Sequence, residues 1–71
     1  MNVLSTIEIG QPKTIVGYHT QDATLLRKLV TLGMMPGIEI ILEQRFPSYI
    51  IKLGHTRTSI DRETAESIFV Q

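Results

Sequence analysis

The sequence predicts a mainly β fold: a closed or nearly closed small barrel of about five short strands, with one α-helix at about 22–32 and a short helical turn near 62–66. Three observations carry this expectation. Period-two hydrophobicity recurs through the second half of the chain, only one stretch has helical spacing, and 71 residues leave room for a single domain, 1–71. A chain of that length buries only about 60% of its unfolded surface. An open sheet this small would also expose long unpaired edges, which closure removes.

The elements follow in order. Gly10-Gln11-Pro12 interrupts the chain early, and Lys13 to His19 then reads as a strand, with β-branched Thr14, Ile15 and Val16 ahead of Tyr18. Gly17 inside it signals a bulge or a close backbone approach. Gln21 to Leu32 is the helix. Asp22 caps its start, Leu25, Leu29 and Leu32 recur at helical spacing with Leu26 and Val30 beside them, and Gly33 ends it in the left-handed conformation. Those leucines are expected to plug one mouth of the barrel.

Met34-Met35-Pro36-Gly37 reads as a type II turn, because Pro presets φ at its second position and Gly accepts positive φ at its third. Beyond it, Ile38, Ile40 and Leu42 are expected to face one way and Glu39, Ile41 and Glu43 the other. Phe46-Pro47-Ser48 is a corner. Tyr49 to Leu53 and His55 to Ile60 are the next two strands, with Gly54 between them. Asp61 to Glu66 forms a helical turn with carboxylates near its start, and Ser67 to Gln71 ends as a short apolar strand.

Chemistry is sparse. Seven Lys and Arg balance seven Asp and Glu, and there is no Cys. A nucleic-acid binder needs a basic excess to displace phosphate counterions, and a thiolate nucleophile or thiolate metal site needs Cys. No apolar run approaches the roughly 18 residues of a membrane span, and Met1 to Gly10 lacks the basic start and apolar stretch of a signal peptide. The expectation is a soluble intracellular domain with no direct membrane insertion. His19 and His55 are the only histidines; meeting across neighbouring strands, with Asp22 or Asp61, they would make a metal site. Their spacing carries no ligand signature, and the plainer reading is two partly exposed strand-end residues. Thr56, Thr58 and Ser59 sit in strand alternation without a nucleophile elbow, and no P-loop or GxGxxG accompanies Gly33 and Gly37. No catalytic residues are identified, and the chain is expected not to be an enzyme.

Two apolar features remain as candidate partner-binding surfaces. Met34 and Met35, with Pro36 and Gly37, follow the helix where the chain nears the surface; each Met either fills the core beneath the turn or serves as an adaptable contact. Phe46 and Tyr49 flank the Pro47 corner, either packing within their own hairpin or forming a groove for an extended or Pro-rich peptide.

The run Leu26 to Gly37, followed by Ile38-Glu39-Ile40, resembles the hallmark of the FeoA family: a basic, Leu-rich helix ending in LG, one or two apolar residues, then PG and a strand. Ile60 to Val70 resembles the family's closing strand, helical turn with Glu and Ala, and final I-x-V; Gly10 and Ile15 match an early Gly and an apolar strand. Relatives often carry a longer Pro-x-Gly-x-Pro-like loop after the first long strand, where this chain has only Phe46-Pro47-Ser48. The resemblance implies an SH3-like barrel acting in the cytoplasm as a non-catalytic accessory of ferrous iron uptake. Its implied partner is the cytoplasmic, GTPase-bearing part of the membrane ferrous iron transporter FeoB, which it would modulate. The resemblance transfers no catalytic residues and no cofactor. Fe²⁺ favours His and carboxylate ligands, and no facial-triad-like grouping stands in the sequence. Self-association is compatible with exposed Met and aromatic residues. The alternative is a nucleic-acid-binding or peptide-binding regulatory barrel of the iron-dependent regulator type; nucleic-acid binding would need Arg27, Lys28, Arg45, Lys52 and Arg57 to converge.

Overall fold

The computed structural model describes residues 2–71, and its longest strand, β2 (Pro12–Tyr18), runs through the middle of one sheet. On one side β2 pairs antiparallel with β3 (Glu39–Gln44), which continues to β4 (Tyr49–Leu53) and β5 (Thr56–Ile60). On the other it pairs with β6 (Ile68–Val70), which also carries β1 (Asn2–Val3). The order is therefore β1-β6-β2-β3-β4-β5, with six strands among the described residues where the sequence suggests about five. The added strand has only two residues, too few to show a period, and runs straight into a 3₁₀ turn, Leu4–Thr6.

Val16 is the bulge that Gly17 signals: the β2–β6 register shifts between Ile15 and Gly17. Helix α1 (Ala23–Thr31) begins at Asp22, whose carboxylate accepts from the Thr24 and Leu25 amides at 2.9 and 3.4 Å. Leu25 and Leu29 join the core. Leu32, expected to join them, is the C-cap and only half-buried, because the helix is already ending there. Ile38 likewise departs from the expected strand alternation. It precedes β3 and stays exposed, since its amide is used to close the preceding turn on the Met35 carbonyl at 3.1 Å. Ile40 and Leu42 point inward as expected.

Gly54 and His55 form the two-residue turn between β4 and β5, so His55 lies in the turn and not in the strand. Gly54 takes φ +58°, the positive value a type II′ turn requires at its first central residue, while His55 keeps negative φ. Helix α2 (Arg62–Glu66) starts at Asp61, whose carboxylate accepts from the Thr64 amide at 2.8 Å.

The core draws on every part of the chain: Leu4 and Ile7, Ile15, the two helix leucines, Met34, Ile40 and Leu42, Ile51, Ile60, Ala65, Ile68 and Val70. The sheet curls around these residues without closing, because among the described residues β1 and β5 share no ladder. Other contacts tie the N-terminal segment to the far end of β3. The Gly10 amide donates to the Leu42 carbonyl at 2.8 Å, and the Arg45 guanidinium donates to the carbonyls of Ser5, at 3.2 Å, and Ile7. No helix among the described residues is long and apolar enough to cross a membrane.

Candidate functional site

The segment after α1 is built from helix-capping chemistry. Gly33 takes φ +84°, and its amide donates to the Val30 carbonyl at 3.0 Å, while the Met34 amide donates to Leu29 at 2.9 Å. These two bonds are the Schellman pattern, which brings the residue after the left-handed Gly back against the third residue from the helix end. Met34 and Leu29 occupy those two positions, and both are fully buried in one core cluster. Met34, proposed from sequence as a partner contact, is thus a core residue with no surface to offer.

From Met35 the chain turns outward. Met35, Pro36, Gly37 and Ile38 are exposed, with Gly37 at φ +95° in the third position of the expected turn. The turn is held rigidly on its inner side. The Gly37 amide donates to the Ile15 carbonyl at 2.7 Å, the Ile15 amide to the Ile38 carbonyl at 2.9 Å, and the Tyr18 hydroxyl to the Met34 carbonyl at 2.8 Å. Those bonds set bulged Val16 beside the turn. Met35 and Ile38 in the turn are 44 and 38% exposed, Val16 next to Ile15 is 39% exposed, and Val30, whose carbonyl accepts from the Gly33 amide, is 51% exposed. Exposed apolar residues on and next to a fixed backbone make this segment the candidate interaction surface. Ile38 also lines a shallow groove of about 390 Å³ with Glu39, Ile41, Lys52 and Gly54. Sequence reasoning passes over Val16, Val30 and Ile38: Val16 reads only as a β-branched strand residue, Val30 only as a neighbour of the helix leucines, and Ile38 as facing the same way as Ile40 and Leu42.

The second candidate surface is less uniform. Phe46 is 84% exposed, whereas Tyr49 is half-buried in β4 and packs against the core. Both line a concavity of about 410 Å³ with Arg45, Pro47, Ser48, Ile60, Asp61 and Arg62.

The structure does not bring the histidines together in a shared ladder. His19 follows β2 and His55 tips the β4–β5 hairpin, and β2 and β5 are not neighbours in the sheet. The His19 ring lies 5.0 Å from the Phe69 ring, tilted by 55°. Asp22 and Asp61, the acids considered with them, each cap a helix. Among the described residues no three His, Asp or Glu side chains form a group that could hold a metal ion.

Three of the five cations considered for a basic patch have other partners. Lys28 Nζ lies 3.7 Å from Asp61 Oδ2 and 3.5 Å from the Thr64 hydroxyl, Arg45 serves the Ser5 and Ile7 carbonyls, and Arg57 grips Glu43 through two bonds of 2.5 and 3.2 Å. Hydrogen bonds from Thr64, helped by the nearby Lys28, hold the Asp61 carboxyl below its ordinary range.

Comparison with known proteins gives a consistent likeness. The FeoA domain family model matches residues 2–71. No curated protein matches the chain. A crystal structure described as an iron uptake regulatory protein (FeoA) is 26% identical, with a TM-score of 0.86 over 97% of this chain and 92% of that one. The solution structure of iron(II) transport protein A from Clostridium thermocellum is 29% identical, with a TM-score of 0.87 over 99% of this chain and 44% of that one. The FeoA of Stenotrophomonas maltophilia, described as a prokaryotic SH3 domain protein and solved with zinc, shares the fold at 18% identity, with a TM-score of 0.85 over 100% of this chain and 91% of that one.

Proposed function

The chain belongs to the FeoA family, and from that premise we propose that it is a non-catalytic accessory of ferrous iron uptake, docking on the cytoplasmic part of a FeoB-type transporter and modulating it. The observation that carries the reading is the exposed apolar border of the turn, Val16, Val30, Met35 and Ile38, around a backbone fixed by Tyr18 and Ile15. The names carried by relatives at 26 and 29% identity, an iron uptake regulatory protein and an iron(II) transport protein, supply the process. A preformed turn loses little conformational freedom on binding, so its apolar contacts convert efficiently into affinity. Iron on this reading is the transporter's cargo, and the domain works without holding it.

Titration of the isotopically labelled chain with the transporter's soluble cytoplasmic domain tests the reading. The largest amide shifts are expected at Val16, Val30, Met35, Gly37 and Ile38. Shifts confined to the Phe46 corner would move the site, and absence of binding would end the docking proposal.

A further inference from the structure

Strand β5 forms one edge of the sheet. Strand β5 is hydrogen-bonded to β4 alone, and among the described residues no other backbone hydrogen bond reaches Thr56–Ile60. The opposite edge, β1, is only two residues long, and short edges discourage pairing. β5 has five residues, with no Pro, Gly or register shift. Its one charged side chain, Arg57, is neutralised by Glu43, reached across β4 on the outer face. The usual devices that blunt an edge strand are missing.

Register decides what fits. Leu53 and Thr56 flank the two-residue Gly54–His55 turn and so form the hydrogen-bonded pair that closes the hairpin. The pattern alternates from there, so Ile51↔Thr58 and Tyr49↔Ile60 are bonded pairs, and Arg57 and Ser59 direct their N–H and C=O groups away from β4. An incoming antiparallel strand must therefore bond opposite residues 57 and 59.

We propose that the occupant is a second copy of this chain, pairing β5 with β5 about a two-fold axis through Thr58. In that register Arg57 of each copy meets Ser59 of the other, and Thr58 meets Thr58. Both Arg57 and Ser59 are outward-bonding positions, so the ladder is complete from both sides, as an isologous interface requires. No like charges face each other, threonines opposite one another are a favourable cross-strand pair, and the zero net charge of the chain adds no bulk repulsion. The two sheets become one continuous twelve-stranded sheet, and the hairpin tip of one copy arrives past Ile60 of the other, toward the exposed Phe46. The inference is independent of the transporter reading.

Sedimentation of the full chain from micromolar to millimolar concentration tests it. The weight-average mass is expected to rise from 8.0 kDa toward twice that value. Ser59→Lys places a cation opposite the partner's Arg57 and Ser59→Glu an anion. Two symmetric pairs per dimer make the dissociation constant rise with the first and fall with the second, each several-fold to roughly tenfold. Ser59→Pro removes an outward N–H without touching the β4 ladder and is expected to leave a folded monomer. A monomeric wild type throughout the range, or Lys and Glu variants that shift association in the same direction, overturns the proposal. A folded Ser59→Pro variant that still dimerises does so too; loss of folding would leave the Lys and Glu pair to decide.

Discussion

Met34 and Met35 are adjacent, chemically identical and opposite in role, and truncating each to Ala separates the two roles. Met34 is fully buried against Leu29 at the Schellman cap, so Met34→Ala removes a whole core side chain and leaves a cavity. Core Met→Ala changes cost about 2–5 kcal/mol, and the complete burial of Met34 argues for the middle of that range. A domain of this size rarely has more than about 3–5 kcal/mol in total, so the variant is expected to be substantially unfolded at room temperature. Met34→Leu keeps volume and apolarity and should lose less than about 1.5 kcal/mol. Met35→Ala, at an exposed turn position, should stay within about 0.5 kcal/mol of wild type. Urea denaturation followed by circular dichroism measures all three. Equal losses from the two Ala variants would refute the assignment of Met34 to the core and Met35 to the surface.

Three further outcomes follow from single contacts. Gly33→Ala meets no steric neighbour but forces a Cβ into φ +84°, and should cost about 1–2 kcal/mol by the same denaturation assay. Arg45→Met keeps the aliphatic stem and strips the donors from the Ser5 and Ile7 carbonyls; a loss of about 1–3 kcal/mol is expected, with the fastest hydrogen exchange near residues 4–10. The Asp61 carboxyl is held below its ordinary range by Thr64 hydrogen bonds and then Lys28, so its folded pKa lies below its unfolded one. Its contribution is present above the unfolded value of about 3.9 and is lost as pH falls through the folded pKa. Asp61→Asn should flatten that acid limb of a stability–pH profile.

Much of the fold was readable because local rules and tertiary structure agree. Asp22 and Asp61 cap helices, Gly33 and Gly37 take positive φ, Gly17 marks a bulge, and Ile40 and Leu42 alternate inward, all as their residue types dictate. Two of the misses are long-range. Asn2–Val3 is a strand only because β6 lies beside it, and Arg45 finds its acceptors about forty residues away in sequence. Met34 was decidable in principle: the residue after a left-handed Gly cap packs back on the helix, and that rule separates it from Met35. The exposed turn border was half readable. Met35, Pro36 and Gly37 were named from sequence, whereas Val16 joins them only through a bulge and Ile38 only through the hydrogen bond that closes the turn. For His19 and His55, sequence offers no distance; His19 follows β2 and His55 tips the β4–β5 hairpin, and β2 and β5 are not neighbours in the sheet.

Docking through the turn is tested most directly by the affinity of Met35→Glu for the transporter's cytoplasmic domain, measured by titration calorimetry beside wild type and Arg27→Glu. Met35→Glu places a charge in the apolar border without touching the core, so the fold should persist while affinity falls at least tenfold, about 1.4 kcal/mol. Arg27→Glu, a charge reversal on the exposed helix surface, should change it far less. Wild-type affinity in a folded Met35→Glu variant would contradict the account.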